Sequence, residues 1–222
     1  MVFSSLPFLF LFLTVVLLVS HLLPFKFRNF FLLLANLVFY AYGEPVYVLI
    51  MIASILVNFF AGVLMDKQPT QSRRRAVLVV GIVLNLAALG VFKYAGLFVD
   101  TLRGIPAFSS LPEVNIALPI GISFYTFQAV SYLIDVYWDD CEASHNFVNF
   151  ACYISLFPQL IAGPIVRYRD VNEQLVSRHE TPTLFNSGVR LFMVGMAKKV
   201  LLANQFGMLW ESVSAEIGRA HV

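Results

Sequence analysis

The sequence predicts an all-α, polytopic integral membrane protein with about six to seven membrane segments. Three observations carry that expectation. Apolar residues make up 59% of the chain and charged residues only 13%, about half the charged share of soluble domains. Apolar runs long enough to cross a bilayer recur along the chain. The longest polar stretch, residues 167–187, is too short to fold alone. The net charge of +2 offers no basic field of the kind that draws nucleic acid. Cys141 and Cys152 are too few for a disulfide framework and read as small apolar fillers.

The first segment, residues 6–23, lacks the basic n-region of a signal peptide. Pro24-Phe-Lys-Phe-Arg28 follows it in place of a small-residue cleavage site, so it reads as a retained membrane helix. Residues 30–42 follow, only thirteen residues long, and either extend through Gly43-Glu44-Pro45 or enter the membrane without crossing it. Residues 46–65 and 76–99 are full-length spans. Residues 116–137, 147–166 and 188–210 complete the set, and no internal repeat is evident.

Basic residues orient these segments, because cytoplasmic loops collect Lys and Arg. Lys26 and Arg28, and then Lys67, Arg73, Arg74 and Arg75, fall in alternate connections, which puts both inside and the amino terminus outside. Strict alternation then fails. It would place Arg167, Arg169, Arg178 and Arg190 outside, and the loop 138–146, which has no Lys or Arg, inside. One remedy is that residues 147–166 do not cross. FPQLIAGPIV holds Pro158, Gly163 and Pro164 within seven residues. Proline removes a backbone donor, glycine weakens a helix, and broken backbone at membrane depth survives only inside protein or beside water. A re-entrant element and an ordinary kinked helix both remain open.

Residues 116–137 are the richest in candidate chemistry. At 100° per residue Tyr125, Gln128, Tyr132 and Asp135 fall within one arc of about 80°, with Ser131 at its edge. Such a face must meet protein or water, and an intramembrane carboxylate is functional or paired. These four are the candidate cavity-lining residues, and Gln128 lies deeper than Asp135, which is near the segment's end, where an interfacial position also fits. Arg167 and Arg169 follow the Gly-Pro break, and Lys198 and Lys199 interrupt the last segment. Guanidinium suits phosphate and the two ammonium groups suit a negatively charged ligand, so these four are candidate donor-side groups; membrane-surface anchoring explains them equally well, as snorkelling explains Lys93. His21, His145 and His179 lie at a membrane edge or in polar loops, and His221 in the carboxy-terminal tail. None stands in an intramembrane polar cluster where a general base for acyl transfer is expected. There is no Walker motif, zinc spacing or GxSxG element, and no metal site is expected.

LPIGISFYTFQAVSYLIDVY (118–137), FPQLIAGPIVRYRDV (157–171) and GMAKKVLLAN (195–204) resemble the membrane-bound O-acyltransferase family. FYAYGEPVYVLIMIASILVNFFAG (39–62) and FKYAGLF (92–98) add to the likeness, which runs over essentially residues 1–210 and is strongest to the alginate O-acetyltransferase branch. The resemblance implies a partial form of a multi-helix fold with a central tunnel, in a multi-pass protein of the bacterial cytoplasmic (inner) membrane. It implies passage of an acetyl group from a cytoplasmic thioester such as acetyl-CoA toward an extracytoplasmic polysaccharide such as alginate. Periplasmic or extracellular acetyltransferase partners would receive the group; no bound cofactor is implied. The family's catalytic histidine lies in a later segment, so no residue here inherits that role and this fragment alone is expected to be inactive. A transporter or flippase-like protein for a lipid-linked or polymeric substrate would also need a polar path, and is the alternative. The last residues, 216–222, read EIGRAHV; GAG ATC GGA AGA GCA CAC GTC encodes them and looks like a short-read sequencing adapter. Residues 1–215 are therefore expected to be the family domain, and 216–222 a non-native tail.

Overall fold

The computed structural model describes residues 5–105, 112, 117–160, 163–178 and 180–220, with side chains to 214. His179, His221 and all of the expected tail's side chains lie outside the described residues. Among the described residues every regular element is helical. The chain divides into two compact units, residues 18–177 and residues 1–17 with 178–222.

Helix α1 (Thr14–Leu22), of which residues 18–22 belong to the larger unit, ends ahead of Pro24, which starts α2 (Phe25–Gly43). At nineteen residues α2 spans about 28 Å, longer than the thirteen-residue segment the apolar run suggested. The extra turn holds Lys26 and Arg28. Arg28 is accommodated by folding back, its guanidinium donating to the carbonyls of Leu23 (2.9 Å) and His21 (3.1 Å). Pro45 stops α2 beyond Glu44. Next come α3 (Val48–Asp66) and α4 (Gln71–Arg103), each long and apolar enough to cross a bilayer by length and composition. By that criterion the other described helices do not qualify.

Helix α5 (Ile122–Tyr137) packs on both α3 and α4. Close approach is possible because two glycines face it. A Cβ on Gly62 would fall on the Tyr132 hydroxyl, and one on Gly81 would lie 2.7 Å from Leu133 Cδ1. Gly121 precedes α5 with φ of 78°, a left-handed conformation that favours glycine.

The segment 147–166 is neither a straight span nor a simple kink. It forms α6 (Phe147–Ser155), a one-turn α7 (Phe157–Leu160), and a stretch without regular structure at 163–167 that leads into α8 (Tyr168–Val176). Asn146 caps α6 by accepting from the Asn149 amide at 3.2 Å.

The smaller unit contains a π-helical turn (Pro7–Leu13) and the long helix α9 (Pro182–Lys198). Thr181 caps α9, its hydroxyl accepting from the Leu184 amide at 3.2 Å. A π turn at Lys199–Ala203 carries α9 into α10 (Asn204–Ala220). No residue of α9 is buried.

Candidate functional site: a broken segment on the polar face of α5

The two ends of the broken segment lie at the same end of the larger unit. On the way in, the Ser144 amide donates to the Tyr132 hydroxyl at 3.0 Å. On the way out, Arg167 stands 3.9 Å from Asp135, and Arg169 stands 3.3 Å from Asp140. Tyr132 and Asp135 belong to the last two turns of α5. Leu160 lies at the opposite end, where a Cβ on Gly121 would come within 2.7 Å of its carbonyl oxygen. The segment therefore runs the length of α5 and returns. A kinked crossing helix would put Asn146 and Arg167 at opposite ends.

Backbone accounting explains the reversal. In a continuous helix the Phe157 amide would donate to the Tyr153 carbonyl. Instead it donates to Asn36 Oδ1 on α2 at 3.3 Å. The Tyr153 carbonyl accepts from Gln128 Nε2 (3.0 Å) and Gln159 Nε2 (2.6 Å). Pro158 has no amide hydrogen to offer Ile154. Asn36 Nδ2 also points at Ser155 Oγ (3.5 Å). Three side-chain amides thus take the places of the missing helical bonds. The Tyr153 hydroxyl then donates to the Val166 carbonyl at 2.9 Å, pinning the returning stretch to α6. Gly163 passes the Gln159 backbone so closely that a Cβ would lie 2.6 Å from its Cα.

Like Ile122, Thr126, Ala129, Leu133 and Val136 of the same helix, Tyr125, Gln128, Tyr132 and Asp135 of α5 are all at most 3% exposed. Their surroundings differ. Gln128 is bonded into the break. Tyr132 joins a ring cluster with Phe150 (4.6 Å) and Tyr168 (5.2 Å). Asp135 has one oxygen near Arg167 and the other buried without a hydrogen-bond partner. Tyr125 lines a cavity of about 210 Å³ between α3, α4 and α5.

Arg167 and Arg169 converge on the mouth of the hairpin, both about half exposed. Arg169 also approaches Asp170 at 3.8 Å, so the two guanidiniums share three carboxylates. Lys198 and Lys199 belong to the smaller unit, at the junction of α9 with its π turn. Beside the mouth, Arg74 grips Asp139 (2.6 and 3.1 Å) and the Val136 carbonyl (2.8 Å), tying α4 to the end of α5. That hydrogen bonding holds the Asp139 carboxyl below its ordinary range and raises the Arg74 guanidinium. Burial, reinforced by the charges of Asp135 and Asp140, pushes the Cys141 thiol up to about 11.

Five buried amides are absent from the candidates read in the sequence: Asn29, Asn36, Asn58, Asn85 and Gln159, each at most 9% exposed. The signal was available, since an amide within an apolar run must find a partner. Asn58 and Asn85 bond each other reciprocally (3.0 and 2.7 Å), joining α3 to α4. His145 pairs with Asp66 at 3.1 Å on an exposed surface. Among the described residues no group of three or more His, Cys, Asp or Glu could hold a metal ion.

The chain is similar to the probable alginate O-acetylase AlgI of Pseudomonas aeruginosa, 42% identical over 213 residues, covering 94% of this chain and 41% of that protein. It is 44% identical over 209 residues to the probable alginate O-acetylase AlgI of Azotobacter vinelandii, covering 92% and 42%. The peptidoglycan O-acetyltransferase of Helicobacter pylori is 29% identical over 205 residues, covering 80% and 39%. The chain spans about two fifths of the length of these curated relatives. No protein-family model matches it, and no solved structure does. With several alginate O-acetylases alike along nearly its whole length, the chain belongs to the membrane-bound O-acyltransferase family.

Proposed function

We propose that the whole protein is a multi-pass O-acyltransferase of the bacterial inner membrane. It passes an acetyl group from a cytoplasmic thioester, acetyl-CoA or a relative, toward an extracytoplasmic polysaccharide such as alginate. The observation that carries this reading is the 36–44% identity to alginate O-acetylases. The likeness to a peptidoglycan O-acetyltransferase supports acyl transfer to a polymer more generally.

In this reading the six to seven segments include a re-entrant one. The arginines at 73–75, 167 and 169 then share the cytoplasmic side, as the rule for basic residues asks. Arg167 and Arg169 meet the phosphates of the donor, with Lys198 and Lys199 as further basic groups. The polar face of α5 borders the acyl path, Tyr125 directly and Gln128, Tyr132 and Asp135 by shaping its wall. The acetyl-transfer step itself belongs to residues outside this chain, and partner acetyltransferases outside the membrane take the group to the polymer.

Deleting the complete gene in its host and measuring acetyl ester on the secreted polysaccharide tests the reading. Acetyl content should fall to background and return with the complete gene, but not with residues 1–215 alone. Unchanged acetylation in the deletion strain would remove the proposal.

A further inference from the structure

Arg167 and Arg169 stand together at the mouth of the hairpin, but they are held differently. Arg169 donates to Asp140 at 3.3 Å and also approaches Asp170 at 3.8 Å. The Arg167 guanidinium has one polar partner among the described residues, Asp135 at 3.9 Å, beyond hydrogen-bond distance. Its side chain is 49% exposed, whereas that of Asp135 is 3% exposed.

Asp135 depends on that contact more than Arg167 does. Its Oδ2 is buried with no hydrogen-bond partner. Arg169 is the other cation whose field reaches it, and Arg169 is shared between Asp140 and Asp170. Those two carboxylates oppose a negative charge at 135. Cys141 and Tyr153 also lie near it, but the Tyr153 hydroxyl donates to the Val166 carbonyl instead. A buried carboxylate stripped of its close countercharge is strongly destabilised. It must keep the arginine or become neutral. Phosphate competes for the same guanidinium, which is half-exposed and has no hydrogen bond to Asp135 to give up.

We propose that donor binding is coupled to a proton at this pair: a phosphate of the thioester donor takes Arg167 from Asp135, and the Asp135 carboxylate takes up one proton from solvent. The inference rests on the donor reading above, in which the arginines of the mouth meet phosphate. One O–H bond forms at Asp135, and no bond of the donor breaks.

The test is an infrared difference spectrum of the full-length protein in phospholipid-free detergent, with and without coenzyme A, beside a direct measurement of coenzyme A binding. Infrared separates protonated carboxyl groups from the phosphates of the ligand. Wild type should gain a protonated-carboxyl band on binding coenzyme A. The gain should be several-fold smaller in Asp135→Asn, which has no carboxyl to protonate. It should be equally small in Arg167→Gln, where the countercharge is missing before the ligand arrives. Inorganic phosphate at the same concentration should give no gain. Coenzyme A bound by wild type without the band would overturn the proposal, whether or not the variants fold, and would leave the donor reading standing. A full band in either folded variant, or an equal one with inorganic phosphate, would overturn it too. No binding of coenzyme A by wild type would remove both readings.

Discussion

Replacing Asn36 by leucine should damage the broken segment far more than replacing Gln128, and the hydrogen-bond accounting gives the margin. Asn36 is fully buried and is the acceptor for the Phe157 amide. The amide's helical acceptor, the Tyr153 carbonyl, is already taken by Gln128 and Gln159. Leucine at 36 therefore leaves a buried N–H with no acceptor, at a cost of about 1–3 kcal/mol. That is about 5- to 150-fold in the ratio of folded to unfolded protein. Gln128→Leu removes one of two donors to the Tyr153 carbonyl and leaves Gln159 in place. The loss should be near the membrane average of about 0.6 kcal/mol. Reversible denaturation of both variants in mixed micelles measures the difference. Equal losses, or a silent Asn36→Leu, would refute the claim that Asn36 holds the break. The same logic bears on Gln128 as a cavity group. If acetylation by the full-length protein falls only in proportion to folded Gln128→Leu protein, its role is to hold the hairpin.

Other consequences follow from single contacts. Gly62→Ala should destabilise more than Gly81→Ala in thermal melts, because Tyr132 is held by the Ser144 amide and packed on Phe150, whereas the Leu133 methyl can turn aside. Gly121→Ala should cost at least about 1–2 kcal/mol from its left-handed backbone alone, before the clash with Leu160. The Arg74–Asp139 pair should add pH dependence in acid. The Asp139 carboxyl is depressed in the fold, so its contribution is present above the ordinary value of 3.8 and is lost as pH falls through the folded value. Arg74→Gln should flatten that part of a melting profile against pH. Cys141 should react with maleimide more slowly at pH 8 than a cysteine placed at exposed Asp139, because its thiol gives little thiolate below about 11.

Much of this arrangement is legible in the sequence where it depends on local spacing. The polar arc of α5 follows from 100° steps, and all four of its residues are buried. Pro158, Gly163 and Pro164 advertise a break. What the sequence cannot show is where the break begins: the first diverted amide is that of Phe157, before the proline, and its acceptor is 121 residues away on α2. The pairing of Arg167 with Asp135 likewise depends on the chain reversing, which no local pattern states. The apolar run places the start of α2 at residue 30, with Lys26 and Arg28 in the turn before it. The structure extends it, since Arg28 finds its acceptors in the carbonyls of the preceding turn.

The central claim is that the full-length protein takes its acyl group from the side that carries the arginines. Proteoliposomes of the full-length protein, with its orientation fixed by protease sensitivity of the loop at residues 66–75, measure this directly. Labelled acetyl-CoA supplied on the face of that loop should lose acetyl groups to a polysaccharide acceptor system on the opposite face, and acetyl-CoA supplied only on the opposite face should not. Equal transfer from either face would contradict the account, as would no transfer from the arginine face.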